Sequence, residues 1–198
     1  MRPAGRLVAL SLAVFVVSGL PIVSPSSAIF AASTPPAPAE KAAPAQELFQ
    51  KAVEAAGVKR NVLVLFHASW CGWCRRLEKY TRVPEVTAIL DRHYAVLWLT
   101  VDERGDRKAL DNPGADEVRN AIGGKGDGLP VYAAFDRNGK VLGSSVRRGL
   151  DGKEENIGFP RTPDEIEHFF GVLRSGAPRL SAAEEASLRK ALVALLNG

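Results

Sequence analysis

Cysteine is scarce in this chain: there are two in 198 residues, three positions apart, at Cys71 and Cys74. A pair so close cannot staple distant segments, and closing so small a ring restricts the unfolded chain little. The pair therefore reads as reactive rather than structural. Histidine is scarce too, with three, at positions 67, 93 and 168. A CxxC motif supplies half of a four-ligand zinc site. None of His67, His93 and His168 stands at a recognised spacing to complete it, so no metal is expected. A c-type haem needs histidine directly after the second cysteine, and Arg75 stands there. The run Gly123-Gly124-Lys125-Gly126-Asp127-Gly128 resembles a phosphate loop only at a glance. It lacks GxxxxGK[ST] and no helical pattern follows, so it reads as a flexible approach to Pro130. No internal repeat is present.

A strong charge imbalance is also missing. The formal net charge is +4, from 26 basic and 22 acidic residues. Two of the basic residues, Arg2 and Arg6, belong to an N-terminal segment with the features of a secretory signal: a basic start, an apolar stretch over residues 7–17, and a small-residue cleavage site at Ser26-Ser27-Ala28. Without those two, 24 basic residues face 22 acidic ones, or +2, which leaves no nucleic-acid footprint. The apolar stretch is short of the roughly 20 residues that a spanning helix needs. Extended over residues 7–23 it crosses Ser18, Gly19 and Pro21. The reading is a cleaved signal over residues 1–28 and export to the periplasm or beyond. The competing reading is an uncleaved membrane anchor. Residues 29–44 are rich in Ala and Pro and read as a spacer. Residues 45–198 have the size of one domain.

Periodicity divides that domain as follows. Residues 46–56 read as a helix, with Leu48, Phe49, Ala52, Val53 and Ala56 on one face. Val62-Leu63-Val64-Leu65-Phe66 reads as a buried strand. Residues 72–82 read as a helix that Pro84 kinks or ends, with helical pattern resuming over 85–91. Residues 94–101 read as a second strand, 103–114 as a charged surface loop and 116–122 as a short helix. Residues 131–135 and 141–146 read as a hairpin around Asn138-Gly139, and 147–159 as irregular. Thr162-Pro163-Asp164-Glu165 and Ser181-Ala182-Ala183-Glu184 are capping boxes that start two further helices. The first strand is expected to pair in parallel with its neighbours, and the hairpin to add antiparallel pairing.

The cysteines stand where strand gives way to helix. Cys71 is placed at a helix N-terminus, where unpaired N–H groups and the helix dipole favour a thiolate. Cys74 lies one turn on, on the same face and within disulfide reach. That is the arrangement of a dithiol/disulfide switch, with Cys71 attacking and Cys74 resolving.

The segment Phe66-His67-Ala68-Ser69-Trp70-Cys71-Gly72-Trp73-Cys74 resembles the active-site segment of the thioredoxin family. Gly128-Leu129-Pro130-Val131-Tyr132-Ala133-Ala134-Phe135 resembles that family's cis-proline and following strand. The likeness spans residues 45–175, and the last helix is an addition to it. The resemblance implies an α/β fold: a thioredoxin-like three-layer sandwich, a central mixed sheet flanked by helices, with an extra C-terminal helix. It implies thiol:disulfide exchange with protein disulfide or dithiol substrates and a redox partner protein, and no cofactor. It implies that Pro130 lies cis against the cysteines, that Leu129 offers backbone groups to an extended substrate segment, and that Trp70 and Trp73 shape the docking surface. A non-catalytic binding module on the same scaffold is the alternative, which the presence of both cysteines disfavours. Two departures stand out. The family's buried Asp before the first cysteine is Leu65 here, and its companion Lys is Trp98. His67 and Glu78, each one turn from a cysteine, are the candidates for proton transfer in their place.

Overall fold

The computed structural model describes residues 42–124, 126, 128–149 and 151–197. The expected signal segment over residues 1–28 and most of the spacer lie outside the described residues. Among the described residues, no helix is long and apolar enough to cross a membrane.

Chain order is α1 (Ala45–Ala56), β1 (Asn61–His67), α2 (Gly72–Thr81), α3 (Pro84–His93), β2 (Tyr94–Thr100), α4 (Ala115–Ala121), β3 (Val131–Phe135), β4 (Val141–Ser144), β5 (Val146–Arg148), β6 (Glu154–Asn156), α5 (Pro163–Gly176) and α6 (Ala182–Leu196). The main sheet has the order β2-β1-β3-β4. β1 is central and buried on both faces, which explains its unbroken apolar run. Val62, Val64 and Phe66 face one cluster with α1 and α4, which contribute Ala52, Ala56 and Ala115. Leu63 and Leu65 face the other, with Leu77, Ile89, Phe169, Phe170 and Leu188 from α2, α3, α5 and α6. Helices thus cover both faces, and the fold is the expected α/β sandwich.

One expectation is corrected. β1 is parallel to β2 but antiparallel to β3, with Leu65 facing Trp98 on one side and Tyr132 on the other. The reason lies in the connections. α2 and α3 carry the chain from the end of β1 back to the level of its start, since Asn61 pairs with Tyr94. The segment 101–130 leaves the end of β2 and re-enters beside Phe66, the partner of Val131, at the same end of the sheet. A connection that begins and ends at one edge reverses the strand.

Two further segments differ from expectation. Gly105–Leu110, within the expected loop, forms a 3-10 helix with no buried residue. The strand expected over 141–146 stops at Ser144, because buried Ser145 turns inward. The Ser145 amide donates to the Tyr132 carbonyl (2.8 Å), and its hydroxyl accepts from the Tyr132 amide (3.0 Å) and donates to Asn156 Oδ1 (2.7 Å). The expected irregular stretch holds the hairpin β5–β6, with Arg147 opposite Glu155 and Arg148 opposite Glu154. Pro84 opens α3 at its first turn rather than kinking one helix, with Val83 extended before it. Both capping boxes form: Thr162 and Glu165 exchange bonds at the start of α5, as do Ser181 and Glu184 at the start of α6. α6 places Leu188 and Leu192 in the core, and the Tyr80 hydroxyl donates to the Leu188 carbonyl at 3.2 Å.

Candidate active site

The two parallel strands end at the same edge of the sheet, so the loops that follow them stand side by side there. The loop after β1 runs through Ala68, Ser69 and Trp70 to Cys71, whose amide donates to the Ala68 carbonyl at 3.0 Å. Cys71 is the N-cap of α2, and its backbone is extended. Cys71 and Cys74 form a disulfide with a Cα–Cα distance of 5.3 Å. Cys71 Sγ also accepts the Cys74 amide at 3.0 Å, which joins the sulfur to a first-turn N–H of the helix. Such donors stabilise negative charge on Cys71 once the disulfide opens.

Both cysteines are buried, at 4% and 2% exposure, in a small cluster with Ala68 against which Leu129 packs. The Leu129–Pro130 bond is cis and Pro130 is buried. Pro130 precedes Val131, the register partner of Phe66, so it reaches the sheet edge where the cysteine loop begins.

Trp70 and Trp73 flank the pair, at 41% and 40% exposure. Trp70 Nε1 donates to the Asp102 carbonyl at 2.7 Å, and the Arg104 guanidinium lies 4.0 Å from its ring centroid. Trp73 stacks on Phe159 at 5.8 Å with 15° between the planes, and Arg161 lies 4.8 Å from the Trp73 centroid.

The loop after β2 contributes residues that sequence reasoning missed. Glu103 is buried and its carboxylate accepts from Ser69, by the backbone amide and by the hydroxyl (2.7 Å). Asp102 has φ +56°, and its carboxylate is paired with the buried Arg119. The segment from 103 read as a surface loop because its residues are charged. The usable signal was the pair of parallel strands, which sets this loop beside the cysteine loop.

The two proton-transfer candidates are placed differently. His67 is half-buried at the end of β1, with Nε2 3.3 Å from Thr100 Oγ1 and its ring 5.1 Å from that of Trp98. Burial holds its pKa below the usual value, partly offset by the carboxylates of Glu78 and Glu103. Glu78 pairs with Arg82 at 2.6 Å. No hydrogen bond joins either residue to a cysteine sulfur. Leu65 is 2% exposed and its register partner on β2 is Trp98, so these two positions hold an apolar pair.

His93 approaches Glu184 (3.3 Å) and His168 the Ser144 carbonyl (2.8 Å), so both are tied into packing between elements. Among the described residues no group of three or more His, Cys, Asp or Glu side chains could hold a metal ion.

A disulfide capping a helix, between a strand end and a cis-proline, is matched at the level of sequence. Residues 44–137 match the model of a thioredoxin-like family. Over those residues the chain is thioredoxin-like. Among solved structures, this thioredoxin-like chain is similar to a disulphide isomerase from Xylella fastidiosa Temecula1: 28% identity over 57% of this chain and 80% of that one, TM-score 0.42. It is also similar to a DsbH oxidoreductase, with 17% identity over 79% and 90%, TM-score 0.40. A thioredoxin from Thermus thermophilus shares 19% identity over 69% and 89%, TM-score 0.38. No curated protein matches the chain. As a thioredoxin-like protein with an intact CxxC disulfide, it is a thiol:disulfide oxidoreductase.

Proposed function

We propose that the chain is an exported thioredoxin-like enzyme that reduces or isomerises disulfides of protein substrates. The observation that carries the reading is the Cys71–Cys74 disulfide at the start of α2, with Cys71 Sγ bonded to a first-turn amide. Reduced Cys71 attacks a substrate disulfide. A Cys71–substrate disulfide forms and one substrate thiolate leaves and takes up a proton. The Cys74 thiolate then attacks Cys71 Sγ, restoring the internal disulfide and releasing the second substrate thiolate. Two electrons pass from protein to substrate, and a separate redox partner protein returns them.

Leu129 offers its backbone groups to an extended substrate segment, and Trp70 and Trp73 supply apolar area on either side of the sulfurs. Leu65 leaves the resolving step without a carboxylate at that strand position, so His67, Glu78 or water receives the Cys74 proton. Reduction or isomerisation is favoured over strong oxidation because the segment 75–129 lacks a large helical insertion. It holds α3, β2, the six-residue 3-10 helix and the seven-residue α4 beyond the active-site helix. Export follows from the signal-like N-terminal segment.

Reduction of insulin disulfides by the purified domain, with dithiothreitol as electron source, tests the activity. Turnover above the dithiothreitol background, lost in Cys71→Ser, is the expected result. No turnover contradicts the reading. Fractionation of cells with mass determination of the mature chain tests export and cleavage near Ala28.

A further inference from the structure

The surface around the disulfide carries arginines without carboxylate partners. Arg75, Arg104, Arg107 and Arg161 are exposed and Arg76 is half-buried. Arg104 lies over Trp70, and Arg161 and Arg76 over Trp73, at 4.8 and 5.8 Å. Arg75 and Arg107 each donate to Ser69, a neutral residue two positions before Cys71: Arg75 to its carbonyl at 2.9 Å and Arg107 to its hydroxyl at 2.8 Å. Elsewhere the arginines are divided: Arg60 and Arg179 bond backbone carbonyls, and Arg137 and Arg148 form no ion pair among the described residues. Arg82, Arg92, Arg119, Arg147, Arg174 and Arg189 each hold a carboxylate within 4 Å. None of the five at the site pairs with a described carboxylate.

The carboxylates nearest the site form no direct ion pair with these guanidiniums, although Glu165 accepts the Arg161 amide at 2.7 Å and attracts its side chain through space. Glu103 is buried on Ser69, and Asp102 is paired with Arg119. Asp106 and Asp164 are exposed neighbours of Arg107 and Arg161 in sequence, yet neither comes within ion-pair distance of those guanidiniums. Five positive charges without a direct ion-pair partner among the described residues therefore come from four separate segments: α2, the loop after β2, the 3-10 helix and the approach to α5. Guanidiniums held over indole faces are fixed in place and weakly hydrated, with fork donors free for a carboxylate.

We propose that this rim selects substrates: the protein exchanges fastest with disulfides carried on acidic, Asp/Glu-rich protein segments. The proposal rests on the thiol-exchange reading above and adds the substrate class. Exposed charges of one sign around a reactive centre act mainly on encounter, so the selection is in the association rate and is screened by salt.

The test uses three synthetic peptides, each with one cysteine as a mixed disulfide with 2-thiopyridine, flanked by four glutamates, four serines or four lysines. Release of 2-thiopyridone by the reduced protein gives the rate. The expected order is Glu over Ser over Lys, with at least about tenfold between the extremes at about 20 mM salt, shrinking to about twofold at about 500 mM. The double variant Arg104→Glu/Arg161→Glu should abolish or invert the order. Arg137→Glu/Lys140→Glu makes the same change of charge on the β3–β4 turn, at the opposite end of the sheet, and should keep it. Equal rates, faster reaction of the lysine peptide, or equal loss of the order in both double variants overturns the proposal. No release from any peptide, the serine one included, would instead remove thiol exchange itself and the proposal with it.

Discussion

Replacing Leu65 by Asp should destabilise the domain by an amount that grows with pH. Leu65 sits at the middle of β1, 2% exposed, between Trp98 and Tyr132 on the adjacent strands. Losing the buried leucine costs about 2–3 kcal/mol at any pH. The new carboxyl adds a second cost. Its unfolded pKa is about 3.9, and full burial raises the folded value by about 3–5 units. At about 1.4 kcal/mol per unit, that is about 4–7 kcal/mol once the pH exceeds the raised value. The sign follows from proton counts. Between the two pKa values the unfolded chain has released its proton and the folded one keeps it, so stability falls as pH rises through this window. Below the unfolded pKa only the packing loss remains. A total of this size rivals the roughly 5–15 kcal/mol that holds a domain folded. Urea unfolding of Leu65→Asp, Leu65→Asn and the wild type from pH 4 to pH 8 reads the difference directly. Against the wild type, the Asp variant should lose stability steadily with pH and the Asn variant should not. A pH-independent loss for Asp would show that position 65 is solvated and that the strand is misplaced. Adding Trp98→Lys, the register partner, should return part of the loss at neutral pH, because a buried carboxylate with a cationic partner costs less than one alone.

Three further outcomes are expected. Cys71→Ser should abolish exchange, whereas Cys74→Ala should still attack and accumulate mixed disulfides, read by non-reducing gels; partners trapped through Cys74 in the Cys71 variant would reverse the roles. Tyr132→Phe should stabilise the domain by about 1 kcal/mol in urea unfolding, because the buried Tyr132 hydroxyl has no hydrogen-bond partner among the described residues; a clear loss of stability would reveal a partner. Glu184 has its pKa lowered to about 2, first by the Ser181 amide and then by Arg92, Ser181 and His93. Its folded value lies below its unfolded one, so the stabilisation is full above pH 4.5 and is lost as pH falls toward 2. Glu184→Gln should therefore be less stable than the wild type at pH 7 and equal to it near pH 2; an undiminished gap at pH 2 would contradict the account.

Strands and helices that bury apolar stripes were legible because burial and periodicity are local signals. β1 and α6 follow from Val62 to Phe66 and from Leu188 and Leu192. The capping boxes at Thr162 and Ser181 placed two helix starts to the residue. β5 and β6 were not legible, because Arg147-Arg148 and Glu154-Glu155 carry no alternation; they pair through opposite charge, as in the 2.7 Å bond from Arg147 to Glu155. Strand direction was misread because it depends on where the segment 101–130 ends, not on its composition. At the site, CxxC after a strand marked the disulfide directly. The stack of Trp73 on Phe159 beneath Arg161 joins residues some 85–90 positions apart, and no local pattern announces such a contact.

Equilibration with graded ratios of reduced and oxidised glutathione, read by counting protein thiols, tests most directly whether Cys71 and Cys74 are the exchanging couple. The expected result is a single two-electron transition, absent in Cys71→Ser and Cys74→Ala, with a potential nearer the roughly −270 mV of thioredoxin than the roughly −120 mV of a strong oxidant. A potential near −120 mV would contradict the reductase or isomerase reading, and a disulfide that stays closed under every ratio would contradict exchange itself.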